Sequence, residues 1–378
     1  MRKSRRNFRN PDVKPHIYRG RCGSGTGLRK LHADKSYALR LERYYSEKYG
    51  QVVTPIAILK TLAVISSNFK KNTKLWILHV APSRQLKSQT TNEQIKLFPR
   101  RRIEYAGSDF TMHGLIEKYN SGKSINNKCL LINDLTLLLN SKAERTRSRL
   151  VEAFAELASE GRYIYSDFQR NYEVKASFSL IANITPDSYF RNRRKLLGNT
   201  FIERCMVVYH ELTDEEMSQA NLSRDKRASM KMEPFKQTIK EEDVKTTKED
   251  IVRFNEYARR WRILGAYSSS SSLFDMMRSA TVAYAILGGH SRITEGEFRF
   301  LDMLEDHIRN PFEGVRLRIL ELAHQGRSIR DICNILDKDY ETYRPFVSRT
   351  ILEYRRKGVL SSASYSSAME DSRFNRER

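Results

Sequence analysis

Lys87 and Ser88 are the first residues of this sequence whose types and spacing suit a chemistry. They close the stretch Ala81-Pro-Ser-Arg-Gln-Leu-Lys87-Ser88, which follows the apolar run Leu75–Val80 and opens a helical pattern. A strand, a loop and a helix start in that order cradle phosphate, because backbone N–H groups and the helix N-terminus supply a positive field. In the pattern G-x-x-x-x-G-K-[ST] the lysine neutralises β/γ-phosphate charge and the hydroxyl holds Mg²⁺. Lys87 and Ser88 fill those two positions, while Ala81 and Leu86 replace both glycines. The other reading of Lys87 is an ordinary helix-starting lysine. Gly23-Ser-Gly-Thr-Gly27 has the glycines, but no strand precedes it and Leu28 follows, so it reads as a linker. Gly122-Lys-Ser124 precedes a strand and reads as a turn.

Later residues continue the theme. Cys129-Leu-Leu-Ile132 ends in Asn133-Asp134. Four apolar residues and then two acidic ones would be the metal-and-water strand of a nucleotide hydrolase. Here the pair is an amide and a carboxylate, so Asp134 could serve the metal or the water and Asn133 only a weak neutral contact. A buried strand with a turn-forming Asn-Asp is the alternative. Phe178-Ser-Leu-Ile-Ala-Asn183 ends in an amide able to orient water, or in a turn. Arg204 precedes the run Cys205–His210, from where it can reach a neighbouring subunit's nucleotide or pair with Glu203 or Glu211. Arg278 lies near the start of an apolar helix, where the helix dipole disfavours a cation.

The elements that must position these residues alternate. Helical patterns cover Lys35–Tyr49, Thr54–Phe69, Phe110–Tyr119, Lys142–Ser159 and Ser188–Leu197. Strand patterns cover Leu75–Val80, Ile103–Ala106, Cys129–Ile132, Tyr163–Ser166, Ala176–Asn183 and Cys205–His210. Such alternation implies an α/β fold with a mostly parallel sheet between helices. The expected division is a basic arm 1–34, an α/β core 35–212, a charged linker or insertion 213–250, a helical segment 251–310, a helix-turn-helix unit 311–362 and a frayed tail 363–378. In the helical segment, Ser272 with Asp275 and Thr294 with Glu297 are spaced as capping boxes, and Gly288-Gly289 stops the helix between them. In the last unit, Ser328 with Asp331 caps a short helix and Pro345 begins the next. Phe346, Val347, Ile351, Leu352 and Tyr354 would pack inward there, leaving Arg344, Ser348, Arg349, Arg355 and Arg356 outside. Duplex DNA or a docked protein would suit that face.

Composition points to a polyanionic partner. Lys and Arg number 68 against 45 Asp and Glu, a net charge of +23. Residues 1–30 alone hold ten cations and one Asp, which suits either a solubilising tail or a phosphate-tracking arm. The four cysteines form no CxxC pair, which excludes a zinc ribbon and disfavours a disulfide framework. Lys60 interrupts the most apolar run, so no membrane span is expected, and the expected setting is the cytoplasm, associated with the nucleoid.

In this order and spacing the residues resemble the AAA+ ATPase superfamily over roughly 40–305, and loosely the MCM replicative helicases. The points of likeness to the latter are Leu86-Lys-Ser-Gln89, Phe178–Ala182, Glu203-Arg204 and a C-terminal winged helix. The resemblance implies a P-loop-type sheet, a helical lid over 251–310 and a DNA-acting ATPase of replication, transposition or mobile-element maintenance. Lys87 and Ser88 match Walker A, Asn133 and Asp134 Walker B, and Asn183 sensor 1; Arg204 matches the arginine finger and Arg278 the sensor 2 arginine. ATP with Mg²⁺ would sit between subunits of a homo-oligomer, by analogy a hexamer. The departures are the missing Walker A glycines and the missing Asp-Glu pair. They leave a second expectation, a non-hydrolysing DNA-binding oligomer that keeps the scaffold.

Overall fold

A computed structural model of the chain describes residues 36–106, 114, 125–139, 144–166, 171–189, 192, 196, 200–222, 230–265, 269–308, 319, 322–323, 325–336 and 338–356. The basic arm, the expected helix Phe110–Tyr119 (Gly114 apart) and the tail lie outside the described residues.

Helices α1 (Tyr37–Tyr49) and α2 (Thr54–Ser66) precede β1 (Trp76–Val80), and α3 (Lys87–Leu97) follows it. Strands β2 (Ile103–Ala106) and β3 (Cys129–Ile132) lead to α4 (Leu135–Leu139) and α5 (Glu144–Glu160). Then come β4 (Arg162–Ser166), β5 (Asn171–Lys175), β6 (Ser179–Ile184) and β7 (Met206–Tyr209). Five strands form a parallel sheet in the order β2-β3-β6-β1-β7, while β4 and β5 make a separate antiparallel pair. Every residue of β1, β3, β6 and β7 is buried, as expected of apolar runs covered on both faces.

Register fixes which side chain meets which. His79 of β1 is opposite Asn183 of β6 and Val208 of β7. Trp76 points to one face of the sheet, stacking on Phe178 at 5.1 Å and meeting Phe154 of α5 and Phe201. Helix α2 covers the other face. All thirteen of its residues are buried, which an amphipathic surface helix would not show. Helix α3 leads from β1 toward β2, and residues 185–205 lead from β6 across β1 to β7. Right-handed crossovers put these two connections on opposite faces. The strand ends of β1 and β6 therefore border a crevice, the place where open α/β sheets bind ligands.

Three further helices, α7 (Lys248–Leu264), α8 (Ser271–Gly288) and α9 (Glu295–Ile308), pack into the same core as the sheet. The His307 ring bonds to the Tyr209 carbonyl at the end of β7. Gly289, in the left-handed region at φ 78°, ends α8, and the His290 amide reaches back to the Ala285 carbonyl. The Thr294–Glu297 bonds form as expected. The Ser272–Asp275 box does not: α8 begins two residues earlier, after Ser270, which makes no side-chain cap.

The expected linker 213–250 contains α6 (Asp214–Leu222) and then a packed strap. Phe235 bonds its amide to the Leu97 carbonyl and rests on Tyr37 and Phe98. Glu241 receives the backbone N–H groups of Lys70, Lys71 and Asn72.

The C-terminal unit has a core of its own around Ile319, Leu322, Ile332, Val347 and Ile351. Helix α10 (Ile329–Ile335) starts with the Ser328–Asp331 capping box. Helix α11 runs Tyr340–Arg356, not from Pro345. Asp339 caps it by accepting from the Thr342 amide and hydroxyl, which moves the start five residues forward and leaves Pro345 inside. Leu352 is exposed, contrary to its expected inward packing, because Val347 and Ile351 already form the buried stripe.

Candidate functional site

The loop after β1 is fixed from below. The Ala81 amide extends the β1–β6 ladder by bonding to the Ile184 carbonyl. Gln85 is buried, and its side-chain amide grips Leu212 beyond β7, accepting from the Leu212 N–H at 3.0 Å. Arg84 and Leu86 both adopt left-handed backbone, at φ 65° and 61°. Leu86 thus takes the kind of conformation that favours glycine, while its side chain is buried in the core. An L-residue there costs about 1–2 kcal/mol. Burying a leucine is worth about 1.5–3 kcal/mol, so burial offsets the strain at 86.

Lys87 opens α3 and turns its ammonium back into the crevice. Its Nζ donates to the Ala81 carbonyl, to Pro82 at 3.1 Å and to Ile184 at 3.4 Å. Burial lowers its pKa to about 8, opposed by the charge of Asp134. The first turn of α3 contains no acidic residue. Ser88 is exposed, and Asn92 lies one turn on along the same side of the helix.

Across the crevice, Asn133 donates to Asn92 Oδ1 at 3.4 Å. The Asn133 Oδ1 is buried with no partner among the described residues. Asp134 is exposed and accepts from the Thr136 amide. Lys87, Ser88, Asn133 and Asp134 therefore lie along the same C-terminal edge of the sheet, after β1 and β3, linked by the Asn133–Asn92 bond and by the Asp134 charge acting on Lys87.

Asn183 lies beneath them, fully buried, accepting from Lys60 Nζ at 3.1 Å and donating to Thr91 Oγ1 at 3.1 Å. Beside it His79 and His210 share a 2.7 Å bond. The His210 Nε2 faces the Gln85 carbonyl at 2.9 Å, so that nitrogen carries the proton. Its Nδ1 then accepts from His79 Nε2, which leaves His79 Nδ1 an acceptor with no partner among the described residues. Burial, then His307 and Lys60, push His210 down to about 3, against the Gln85 hydrogen bond. Burial and Lys60 hold His79 well below the usual histidine range.

Arg204 and Arg278 lie elsewhere. Arg204 precedes β7, at the opposite edge of the sheet, and lines a cleft of about 390 Å³ with Lys74, Trp76 and Asp275. No described residue forms an ion pair with it. Arg278 lies one turn beyond Asp275 in α8, its Nε buried without a partner among the described residues. A five-residue strand spans about 16 Å, so neither guanidinium shares the Lys87 crevice within one chain.

In the C-terminal unit Arg349 is exposed, whereas Arg344 lies 5.8 Å over the Tyr340 ring. The side chains of Arg355 and Arg356 lie outside the described residues.

Lys60, His79, Gln85 and His210 were not singled out in the sequence. Lys60 gave one signal, a cation in the middle of an apolar helical run. No group of three or more metal-ligating side chains occurs among the described residues. No described helix is long and apolar enough to cross a membrane. No protein-family model matches this chain, and no curated protein matches it in sequence.

Proposed function

We propose that this chain is a DNA-acting ATPase of the AAA+ type, with a helical lid over 251–310 and a C-terminal winged helix over 311–362. One observation carries the reading: the strand order gathers Lys87, Ser88, Asn133 and Asp134 at a single crevice between oppositely directed connections. A half-buried ammonium whose hydrogen-bond partners among the described residues are all carbonyl oxygens suits a phosphate chain. The residues also fit Mg²⁺, which keeps several waters and needs only one or two protein ligands. Ser88 and Asp134 would hold it, with the unpartnered Asn133 Oδ1 as a weak neutral contact. The ion would neutralise charge on the phosphates. Lys87 holds phosphate oxygens, and the first-turn amides of α3 orient them. Asn183 would position water only after giving up its bond to Lys60 or Thr91.

Arg204 and Arg278 complete such a site only from a second copy of the chain, so the ATP-bound protein is a homo-oligomer, by analogy a hexamer. Double-stranded DNA is the proposed partner, through Arg344, Arg349, Arg355 and Arg356 of the last unit and through the basic arm, in the nucleoid. The second reading, a non-hydrolysing DNA-binding oligomer, is favoured by Leu86, whose bulk stands where a glycine lets phosphate approach the backbone.

ATP turnover with and without DNA at low salt separates the two readings. Stimulated turnover supports the first, and DNA binding without turnover supports the second. Lys87→Ala should abolish ATP binding measured by calorimetry; unchanged affinity would remove the site. Arg349→Ala should weaken duplex binding and reduce the salt slope by about one counterion, and an unaltered slope would favour protein docking by α11.

A further inference from the structure

Lys60 is a lysine in the middle of a helix that has no exposed residue, and its own side chain is fully buried. Its Nζ meets the Lys87 carbonyl at 3.0 Å, Thr90 Oγ1 at 3.0 Å, Thr91 Oγ1 at 2.9 Å and Asn183 Oδ1 at 3.1 Å. All four partners are neutral, and no carboxylate among the described residues pairs with it. Burial, and then the nearby Lys87 charge, hold its pKa well below the ordinary lysine range. Burying an amine without a countercharge is costly. A second cation near the positive end of α3 is also opposed by the helix dipole. A methionine would fill the same volume at neither cost.

What the lysine supplies is convergence. Three of its bonds hold the first turn of α3, directly after the left-handed pair Arg84 and Leu86. The fourth holds Asn183 on β6, the strand whose end forms the other wall of the crevice. Strained backbone persists only where its surroundings over-determine it, and this loop lacks the glycines that would relax it. We propose that Lys60 is a positioning residue for the phosphate loop, clamping the first turn of α3 to the Asn183 side chain and so fixing Lys87 and the loop amides in the crevice. The proposal rests on reading that loop as the ATP site.

Lys60→Met and Thr91→Val in the full-length chain test it, with amide hydrogen exchange and ATP calorimetry as readouts. In Lys60→Met, exchange at residues 90–94, beginning with the Thr90 amide that bonds the Leu86 carbonyl, should rise about tenfold or more while β3 and α5 keep wild-type rates, as for loss of a local hydrogen-bond cluster. ATP affinity should fall by a similar factor. Asn183→Asp, which offers Lys60 a charged acceptor, should keep slow exchange at 90–94 with Lys60 present and lose it in the Lys60→Met background. Unchanged exchange at 90–94, or a uniform rise across the whole sheet, would overturn the proposal. If Lys60→Met does not fold, Thr91→Val decides, since at constant volume it deletes the hydroxyl that accepts from Lys60 and Asn183 and donates to the Lys87 carbonyl: faster exchange confined to 90–94 supports the clamp and no change overturns it. A wild-type chain that binds no ATP would defeat the phosphate reading, while the exchange pattern would still decide the role of Lys60.

Discussion

Arg84 and Leu86 bend the loop without glycine, and they differ in what offsets the strain. Leu86 buries its side chain, whereas Arg84 is exposed with no ion pair to a described residue. Arg84→Gly should therefore stabilise the fold by about 0.5 kcal/mol, the left-handed penalty relieved less the entropy glycine adds to the unfolded chain. A higher urea midpoint at unchanged slope is the expected reading. Glu241 offers a second case. Its carboxylate takes three consecutive amides and the Asn72 side chain, so Glu241→Ala should cost about 1–3 kcal/mol, again read from the urea midpoint. The residues legible in the sequence were those whose chemistry is local: Lys87 beside Ser88, and Asn133 beside Asp134. Lys60 was not, because its partner Asn183 is 123 positions away. Gln85 and His79 were hidden for the same reason, since their partners lie beyond β7.

Among the elements, short apolar strands were the most legible. Ile103–Ala106 and Cys129–Ile132 fall at the expected residues, the second because an uninterrupted apolar run bounded by polar residues leaves little choice. One expected strand, Ala176–Asn183, is instead the end of a connection followed by β6. The preceding β5 went unread although Tyr172 and Val174 alternate with polar residues, because the segment is only five residues long and lies outside the main sheet, paired with β4. Helix starts were less legible: Asp339 outcompeted Pro345 for the start of α11, and the Ser272–Asp275 spacing made no cap. The β1–β7 pair also predicts a response to acid. His79 and His210 are held neutral, while histidines of the unfolded chain protonate near pH 6.5. Between about pH 6.5 and 3 the unfolded state binds more protons, so stability falls as pH is lowered through that window. His210→Asn removes one of the two sites and should flatten the slope of unfolding free energy against pH between about 6.5 and 4. Denaturant titrations at several pH values measure it, and equal slopes would mean the ring is protonated in the native chain.

At the scale of the whole molecule, the sheet edge that holds Lys87 and the edge that holds Arg204 face away from each other. If copies of the chain share sites, Lys87→Ala and Arg204→Ala proteins should each lack DNA-stimulated turnover, and mixing them should restore some, because one junction of each mixed pair keeps both side chains. No recovery on mixing would place Arg204 outside the reaction. A different division runs along the chain. The apolar interior shared by the sheet and α7–α9 has no member in common with the one formed by 319–351. Heating should therefore melt this protein in two steps, with separate heat-absorption peaks in a scanning calorimeter. The smaller peak should vanish, and the larger keep its temperature, when the chain is cut after Ile308.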